Sequence, residues 1–267
     1  MSQEKTVEIV DVNENNVTDV GFFCLMSRKK SEGYQRKLRW LKTRFAEGMR
    51  IKLLKLPERG FIEYIPGEYA WRAVNAKSYM FIHCLWVVGR SKGNGFATLL
   101  LNECIKDAKK AGMAGVAMAT SEGNWLMGKR LLLQNGFKSV EQAPPSFELL
   151  VKKFRDAPSP RFLNNLEQRM GNCGKGFTIF RSDQCPYLED ATRMFVETAK
   201  EFNLNCKVID LKSCQEVRKM SPSAYGVFDV VYDGKPFSYH YLLKKDIIKQ
   251  LKAQYDYSLR QKEVKNV

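Results

Sequence analysis

A chain of 267 residues with 44% apolar and 12% aromatic residues carries enough hydrophobic material for two ordinary domains and does not have the composition of a disordered chain. Its formal charge of +15 implies a lysine-rich solvated surface, or sharper roles in steering polyanions or meeting an acidic partner, but no motif of defined spacing makes nucleic acid an expected partner. No run approaches the roughly 18 uninterrupted apolar residues of a membrane span, the amino terminus Met1-Ser-Gln-Glu-Lys5 lacks the apolar core of a signal peptide, and seven cysteines without a C-x-x-C pair signal neither a disulfide scaffold nor a metal site, so a cytoplasmic protein is expected.

In chain order, Val20, Phe23, Met26, Tyr34, Leu38, Leu41 and Phe45 recur at helical spacing and predict two helices broken near Ser31-Glu-Gly33. Residues Gly48–Lys55 and Gly60–Tyr64 read as strands joined by the turn Pro57-Glu-Arg-Gly60. Glu68–Val74 starts another, and a turn leads to the apolar run Tyr79–Val88. A helix over 96–111, a strand over Gly115–Ser121, a helix from about Trp125 to Gln134 closed by Asn135-Gly136-Phe137, and a strand over Phe147–Phe154 follow. Asp156-Ala-Pro-Ser-Pro160 has the composition of a linker. The expected organisation is a first domain over 1–155, a linker over 156–175 with an amphipathic stretch Phe162–Met170, a second domain over 176–257, and a charged tail over 258–267. In the second domain, strands at Phe177–Arg181 and Lys207–Asp210 flank a helix at Leu188–Phe202. A short helix near Cys214–Lys219, a hairpin turning at Asp233-Gly234 and a helix from Lys244 complete the pattern.

The stretch Arg90-Ser-Lys-Gly93-Asn-Gly95 joins the apolar strand to the helix that begins at Phe96. A strand that ends in a glycine-bearing turn and passes at once into a helix leaves the first helical N–H groups unpaired at the positive end of the dipole. Glycines at 93 and 95 permit positive φ and remove the Cβ atoms that would keep a phosphate from the backbone, while Arg90 and Lys92 add charge at the rim. The expectation is a pyrophosphate site.

This loop resembles the acetyl-coenzyme A pyrophosphate loop of the GNAT N-acetyltransferases, and the helix, strand and Asn-Gly-Phe ending downstream are similar to theirs. Residues Gly60–Arg72 and the carboxy-terminal region resemble the YoaP-type branch. The resemblance implies an α/β fold, a mixed central sheet flanked by helices, followed by a smaller thioredoxin-like α/β domain. It also implies acetyl-CoA as cosubstrate and an amine acceptor. Leu85, Trp86, Val87 and Val88 would pair with the pantetheine arm. Arg90, Ser91, Lys92, Gly93, Asn94, Gly95, Phe96 and Ala97 would hold the pyrophosphate, and Asn124 would stand near the asparagine often found at the start of the later helix. Tyr34, Trp40 and Phe45 flank the acceptor side in such a fold, although aromatics at these positions are more often core. In the second domain, Cys185-Pro-Tyr-Leu188 and Ser221-Pro222 occupy the places of a thioredoxin C-P-Y-C motif and cis-proline. Leu188 replaces the second thiol.

Acyl transfer to an amine needs a base, a polarised carbonyl and a proton for the departing thiolate. His83, on the strand leading to the loop, is the candidate base, with a hydrogen-bonded core histidine as the bland alternative. Glu63 and Glu68 are rivals that need raised pKa values. The family's usual tyrosine acid falls at Leu132, so Ser121 or water is left to donate. Cys185, just before a helix, is a candidate reactive thiol or a residual fold position. The expected function is acetylation of a primary amine of a small molecule or a peptide N-terminus. The alternatives are a thiol-linked acetyl-CoA sensor with little catalysis, or acetylation of a protein or aminoacyl-tRNA. The acceptor and the oligomeric state, a homodimer among the options, are not written in these residues. No G-x-S-x-G elbow or P-loop signature offers another chemistry.

Overall fold

The computed structural model describes residues 7–123 and 126–265, with side chains described to residue 254. In chain order the elements are β1 (Ile9–Val12), α1 (Val17–Val20), a 3-10 turn (Met26–Arg28), α2 (Glu32–Phe45), β2 (Arg50–Leu54), β3 (Gly60–Pro66), a 3-10 turn (Gly67–Tyr69), β4 (Val74–Asn75), β5 (Tyr79–Val87) and a 3-10 turn (Gly89–Ser91). Then come α3 (Phe96–Lys110), β6 (Gly115–Ser121), α4 (Arg130–Gln134), β7 (Lys138–Ala143), β8 (Phe147–Lys153), β9 (Arg161–Phe162) and α5 (Leu166–Gly171). The remainder is β10 (Phe177–Arg181), α6 (Leu188–Glu201), β11 (Cys206–Asp210), α7 (Cys214–Met220), β12 (Phe228–Tyr232), β13 (Lys235–Ser238) and α8 (Lys244–Lys265).

A seven-stranded mixed sheet, ordered β1-β2-β3-β5-β6-β8-β7, organises the first part of the chain. Its strands are antiparallel except for the β5–β6 pair, which is parallel and bridged by the crossover helix α3. One face carries Ile62, Met80, Ile82 and Leu85 against Leu100, Leu101 and Cys104 of α3. The opposite face carries Phe61, Ile65 and Phe81, and it is covered by α1, α2 and the second sheet. α2 is the best-specified helix on that side. Ser31 caps it by accepting the Tyr34 N–H, Lys42 and Arg44 sit in its last turn, and Tyr34, Trp40 and Leu41 are buried along one stripe.

The second sheet is four-stranded, ordered β11-β10-β12-β13, with β10 and β11 parallel and the other neighbours antiparallel. It packs directly on the first. Phe81, Phe147 and Leu149 share one apolar cluster with Phe177, Phe228 and Tyr225, and the Phe147 ring stands edge-on to Tyr239 at 5.3 Å. Polar clamps cross the same boundary: Arg36 bonds Asp183 and Asp210 at 2.7 and 3.1 Å, and Arg72 bonds Gln184 at 2.6 Å. Residues 156–175 contribute β9, which pairs with β4, and α5.

Several expected elements differ. The first of the two amino-terminal helices is only Val17–Val20, because Gly21, Phe23 and Leu25 all take positive φ and carry the chain off the helical path. The break falls within the expected Ser31-Glu-Gly33 stretch, at the Ser31 cap, and Gly33 lies in the first turn of α2. The helix before Asn-Gly-Phe is confined to Arg130–Gln134; Leu126–Gly128 are not helical, and Asn124 and Trp125 lie outside the described residues. The expected charged tail falls largely within α8, which runs to Lys265.

Candidate active site

The β5–β6 ladder stops early. The two strands pair only over Tyr79–Ile82 against Gly115–Met118, although β5 runs on to Val87 and β6 to Ser121. Each remains held by its outer neighbour, β5 by β3 as far as Val87 opposite Gly60, and β6 by β8 as far as Ser121 opposite Phe147. The inner edges therefore part into a wedge, and among the described residues the edge of Leu85–Val87 that faces β6 has no ladder partner. An extended amide chain can pair there as an added strand.

A bulge in β5 decides what faces the wedge. Glu63 lies opposite Cys84 while Tyr64 lies opposite Ile82, so His83 is the extra residue. The shift turns Cys84 and Trp86 to the same face as Glu63 and Phe61, beneath α2 and the second sheet. It leaves Leu85 and Val87 packed toward α3. Trp86 is 42% exposed there.

At the mouth of the wedge the chain makes the 3-10 turn Gly89–Ser91 and enters α3 through Gly93 and Gly95 at φ +80° and +78°. Among the described residues, a Cβ at either glycine would meet nothing within 4 Å, so the space before this backbone is left open by them. Leu99 N–H to Gly95 O is the first helical bond, and no side chain caps Gly95. The N–H groups of Phe96, Ala97 and Thr98 thus point out of the helix end toward the open space. Arg90 and Lys92 are exposed, and among the described residues no carboxylate pairs with either. Asn94 braces the turn by donating to Arg90 O at 2.8 Å.

Ser91 does something other than what was expected of it. Its side chain is buried, donates to Glu58 at 2.6 Å and accepts the Arg59 N–H at 2.9 Å, so it ties the loop to the β2–β3 turn rather than facing a ligand. Phe96 is likewise core on its side chain and offers only its amide. Glu58 and Arg59 were legible only as turn residues, because their bonds to Ser91 cross a wide gap in sequence.

Behind the wedge lies a buried polar cluster. Lys37 Nζ bonds Glu63 at 2.6 Å, with both side chains 3% exposed. His83 Nδ1 is 3.4 Å from the other Glu63 oxygen, and His83 Nε2 accepts the Trp71 N–H at 3.0 Å. Arg72 donates to the carbonyls of Trp71 and His83, both at 2.8 Å. Trp40 closes the cluster, with its ring 5.2 Å from Trp71 and the Lys37 ammonium 4.3 Å from its centroid. Burial lowers His83 to about 4, against the opposing pull of Glu63. Burial by itself would raise Glu63, but the Lys37 ammonium and the His83 contact outweigh it and hold the carboxyl at about 2. With Nε2 accepting an amide, neutral His83 carries its proton on Nδ1 and has no free lone pair.

The other expected site residues are scattered. Glu68 is exposed beyond Pro66, which pairs with Met80 at the far end of β5, roughly 20 Å along the strand from the loop at about 3.3 Å per residue. That removes it from the wedge. Ser121 ends β6, beyond the last residue of that strand paired to β5, with its hydroxyl 2.7 Å from Ser146. Together with Lys129, Glu122 and Glu148 these serines line a cavity of about 500 Å³. Leu132 is fully buried in the α3 core. Tyr34 and Trp40 are core rather than pocket lining. Asn124 lies outside the described residues. Cys185 does not behave as a helix-terminus thiolate; burial raises it, and the Tyr187 amide only partly offsets this. Cys84 on β5 is pushed up by burial to about 12.

The chain is 34% identical over 230 residues to an uncharacterized N-acetyltransferase, YoaP, of Bacillus subtilis (strain 168), which covers 85% of this chain and 91% of that protein. The chain belongs to the YoaP-type N-acetyltransferases. These are GNAT enzymes, a family whose cosubstrate is acetyl-CoA, and the mixed sheet flanked by helices is their fold. No family model matches the chain. Among solved structures it is similar to the PaiA N-acetyltransferase of Thermoplasma acidophilum in complex with coenzyme A, at 18% identity over 56% of this chain and 99% of that one with a TM-score of 0.40. A second is an acetyltransferase of Thermus thermophilus, at 16% identity over 57% and 99% with a TM-score of 0.42. Among the described residues, no helix of this YoaP-type protein is long and apolar enough to cross a membrane.

Proposed function

We propose that this YoaP-type protein transfers the acetyl group of acetyl-CoA to a primary amine of a small molecule or a peptide N-terminus, with the thioester held in the β5–β6 wedge. The observation that carries this reading is the meeting of two features at one place: a strand pair that parts after Ile82 and Met118, and an uncapped helix end shaped by Gly93 and Gly95 at its mouth. The edge of Leu85–Val87 takes the pantetheine amides. The amides of Phe96 and Ala97, with Arg90 and Lys92, take the pyrophosphate.

The amine nitrogen attacks the thioester carbonyl. A C–N bond forms, the C–S bond breaks, one amine proton leaves and the coenzyme thiolate takes one up. We assign the first proton to water rather than to His83 or Glu63, because His83 lacks a free lone pair and Glu63 is a weak base beside Lys37. These groups form instead a rigid charged wall behind the reacting centre. Ser121 is our candidate to pass a proton to the thiolate, supported by its position at the end of β6 beside Ser146. The strand order β11-β10-β12-β13 supports a thioredoxin-like reading of the second sheet, in which the partly buried Cys185 serves packing rather than exchange.

Calorimetric titration with acetyl-CoA, followed by free-thiol release with a panel of amines, tests the proposal. Binding in the micromolar range that is lost when Gly93 and Gly95 are replaced by valine is the expected result. Unchanged binding in that variant would place the cosubstrate elsewhere.

A further inference from the structure

Beside the wedge, on the face to which the bulge turns Trp86, a groove of about 950 Å³ is lined mainly by apolar side chains, among them Phe23, Leu25, Met26, Leu53, Trp86 and Tyr187. It reaches the end of β5 at Trp86 and the residue just beyond the strand, Val88, so a molecule lying in it has one end beside the strand that borders the wedge. Three charged residues also line it, and two are already engaged. Lys55 bonds Glu8 at 2.6 Å, and Glu58 accepts the Ser91 hydroxyl at 2.6 Å.

Arg59 is the third. Its backbone holds the loop, accepting the Val88 N–H at 3.0 Å and donating to Ser91. Its guanidinium lies over the Phe23 ring at 5.8 Å, and Phe23 in turn stacks on Phe61 at 4.7 Å. Among the described residues no carboxylate pairs with this guanidinium. A fork of N–H donors resting on an aromatic floor, in a mainly apolar groove, matches a planar carboxylate and repels a second ammonium. Glu58 is the one carboxylate among the described lining residues and is tied to Ser91 through Oε2, so the groove lacks the several carboxylates that the separate charges of a polyamine would need.

We propose that this groove is the acceptor subsite and that its ligand is an amine with an apolar body and a carboxylate, an aromatic or branched aliphatic amino acid being the simplest. The carboxylate sits on Arg59, the side chain lies along Phe23, Met26 and Trp86, and the amine faces the wedge. The inference rests on the acetyl-transfer reading and names the acceptor class for it. The +15 charge of the chain disfavours approach of polycationic acceptors relative to net-neutral amino acids.

The test is free-thiol release by the full chain with phenylalanine, leucine, their carboxamides, glycine and spermidine. The expected order puts the apolar free acids first, with kcat/KM about ten- to a hundredfold above their amides, the usual weight of a charge-assisted carboxylate contact. Arg59→Gln should erase that ratio and leave the KM for acetyl-CoA unchanged; the residue is exposed, so folding is not at stake. Preference for spermidine or for the amides overturns the inference while leaving acetyl transfer standing. So does an Arg59→Gln variant whose acetyl-CoA KM rises while the acid-to-amide ratio persists, since Arg59 would then serve the cosubstrate. Release from no amine at all would sink the transfer reading itself.

Discussion

The backbone N–H of Trp71 donates to Nε2 of His83 at 3.0 Å, and that bond determines which ring nitrogen carries the proton and removes the lone pair a general base would use. With burial holding His83 at about 4, the ring is neutral throughout the working range. The rate kcat/KM should therefore rise with pH along the acceptor's own ammonium ionisation and show no inflection between 6 and 7. A pH–rate profile checks this, and an NMR titration of the ring should find no shift change between pH 5.5 and 8. The stability sign follows from a depressed folded-state value. His83 contributes stability that is present above its unfolded pKa of about 6.5 and lost as pH falls through 4.

The Lys37–Glu63 pair is fully enclosed, and breaking it leaves a charge without its partner. Lys37→Met should cost about 3–5 kcal/mol in urea unfolding. Lys37→Met combined with Glu63→Leu should recover much of that loss. Strict additivity of the two single changes would show that the pair is not coupled.

Asp229 titrates in the opposite sense. Burial raises its carboxyl to about 6 despite the hydroxyls of Ser221 and Ser223 that bond it. A raised folded-state value means stability that is full below the unfolded pKa of about 3.9 and is lost as pH rises through 6. About two pKa units correspond to a loss of roughly 3 kcal/mol at most. Asp229→Asn should flatten this dependence, so the variant gains on the parent between pH 4 and 8. Parallel stability curves for the two proteins would contradict the assignment.

Gly95 stands at φ +78° with open space around it, so the change to alanine should lower stability only by about 1 kcal/mol, the cost of a left-handed backbone for a residue with Cβ. The same methyl intrudes where the pyrophosphate would lie, and the acetyl-CoA Kd should rise at least about tenfold, near 1.4 kcal/mol. Thermal melting and calorimetry on one preparation separate the two effects.

Gly33 has the reverse problem. Its φ is ordinary, but a Cβ there would lie 2.1 Å from the Pro186 carbonyl oxygen, so α2 and the turn before α6 touch backbone to backbone. Gly33→Ala should force them apart and destabilise the protein by about 1–3 kcal/mol. A melting temperature equal to the parent's would mean that this seam is not close-packed.

Much of the site's scaffold was legible because it is local. Arg90 to Gly95 carry their own backbone requirement, two positive-φ glycines next to a helix start, and the apolar run that ends at Val88 is long enough to read as a buried strand. The missing tyrosine at Leu132 was legible for the same reason, as a position counted from Gly136-Phe137. Helix lengths were less so. The pattern over Val20, Phe23 and Met26 fits a helix, yet Gly21 and the positive φ of Phe23 and Leu25 redirect the chain, and residues 126–128 stay outside α4.

The glycine loop and the order of strands and helices, through their resemblance to a known family, pointed to that family, its expected cosubstrate and the strand that receives it, since each depends on residues near one another along the chain. Tertiary structure alone decided which groups are free to react. Trp71 occupies the His83 lone pair, Lys37 holds Glu63 ionised, Glu58 turns Ser91 inward, and one extra residue in β5 turns Trp86 toward the groove of Arg59. Protonation and access are set by whatever packs within a few ångströms, and across a folded sheet those neighbours come from distant parts of the chain.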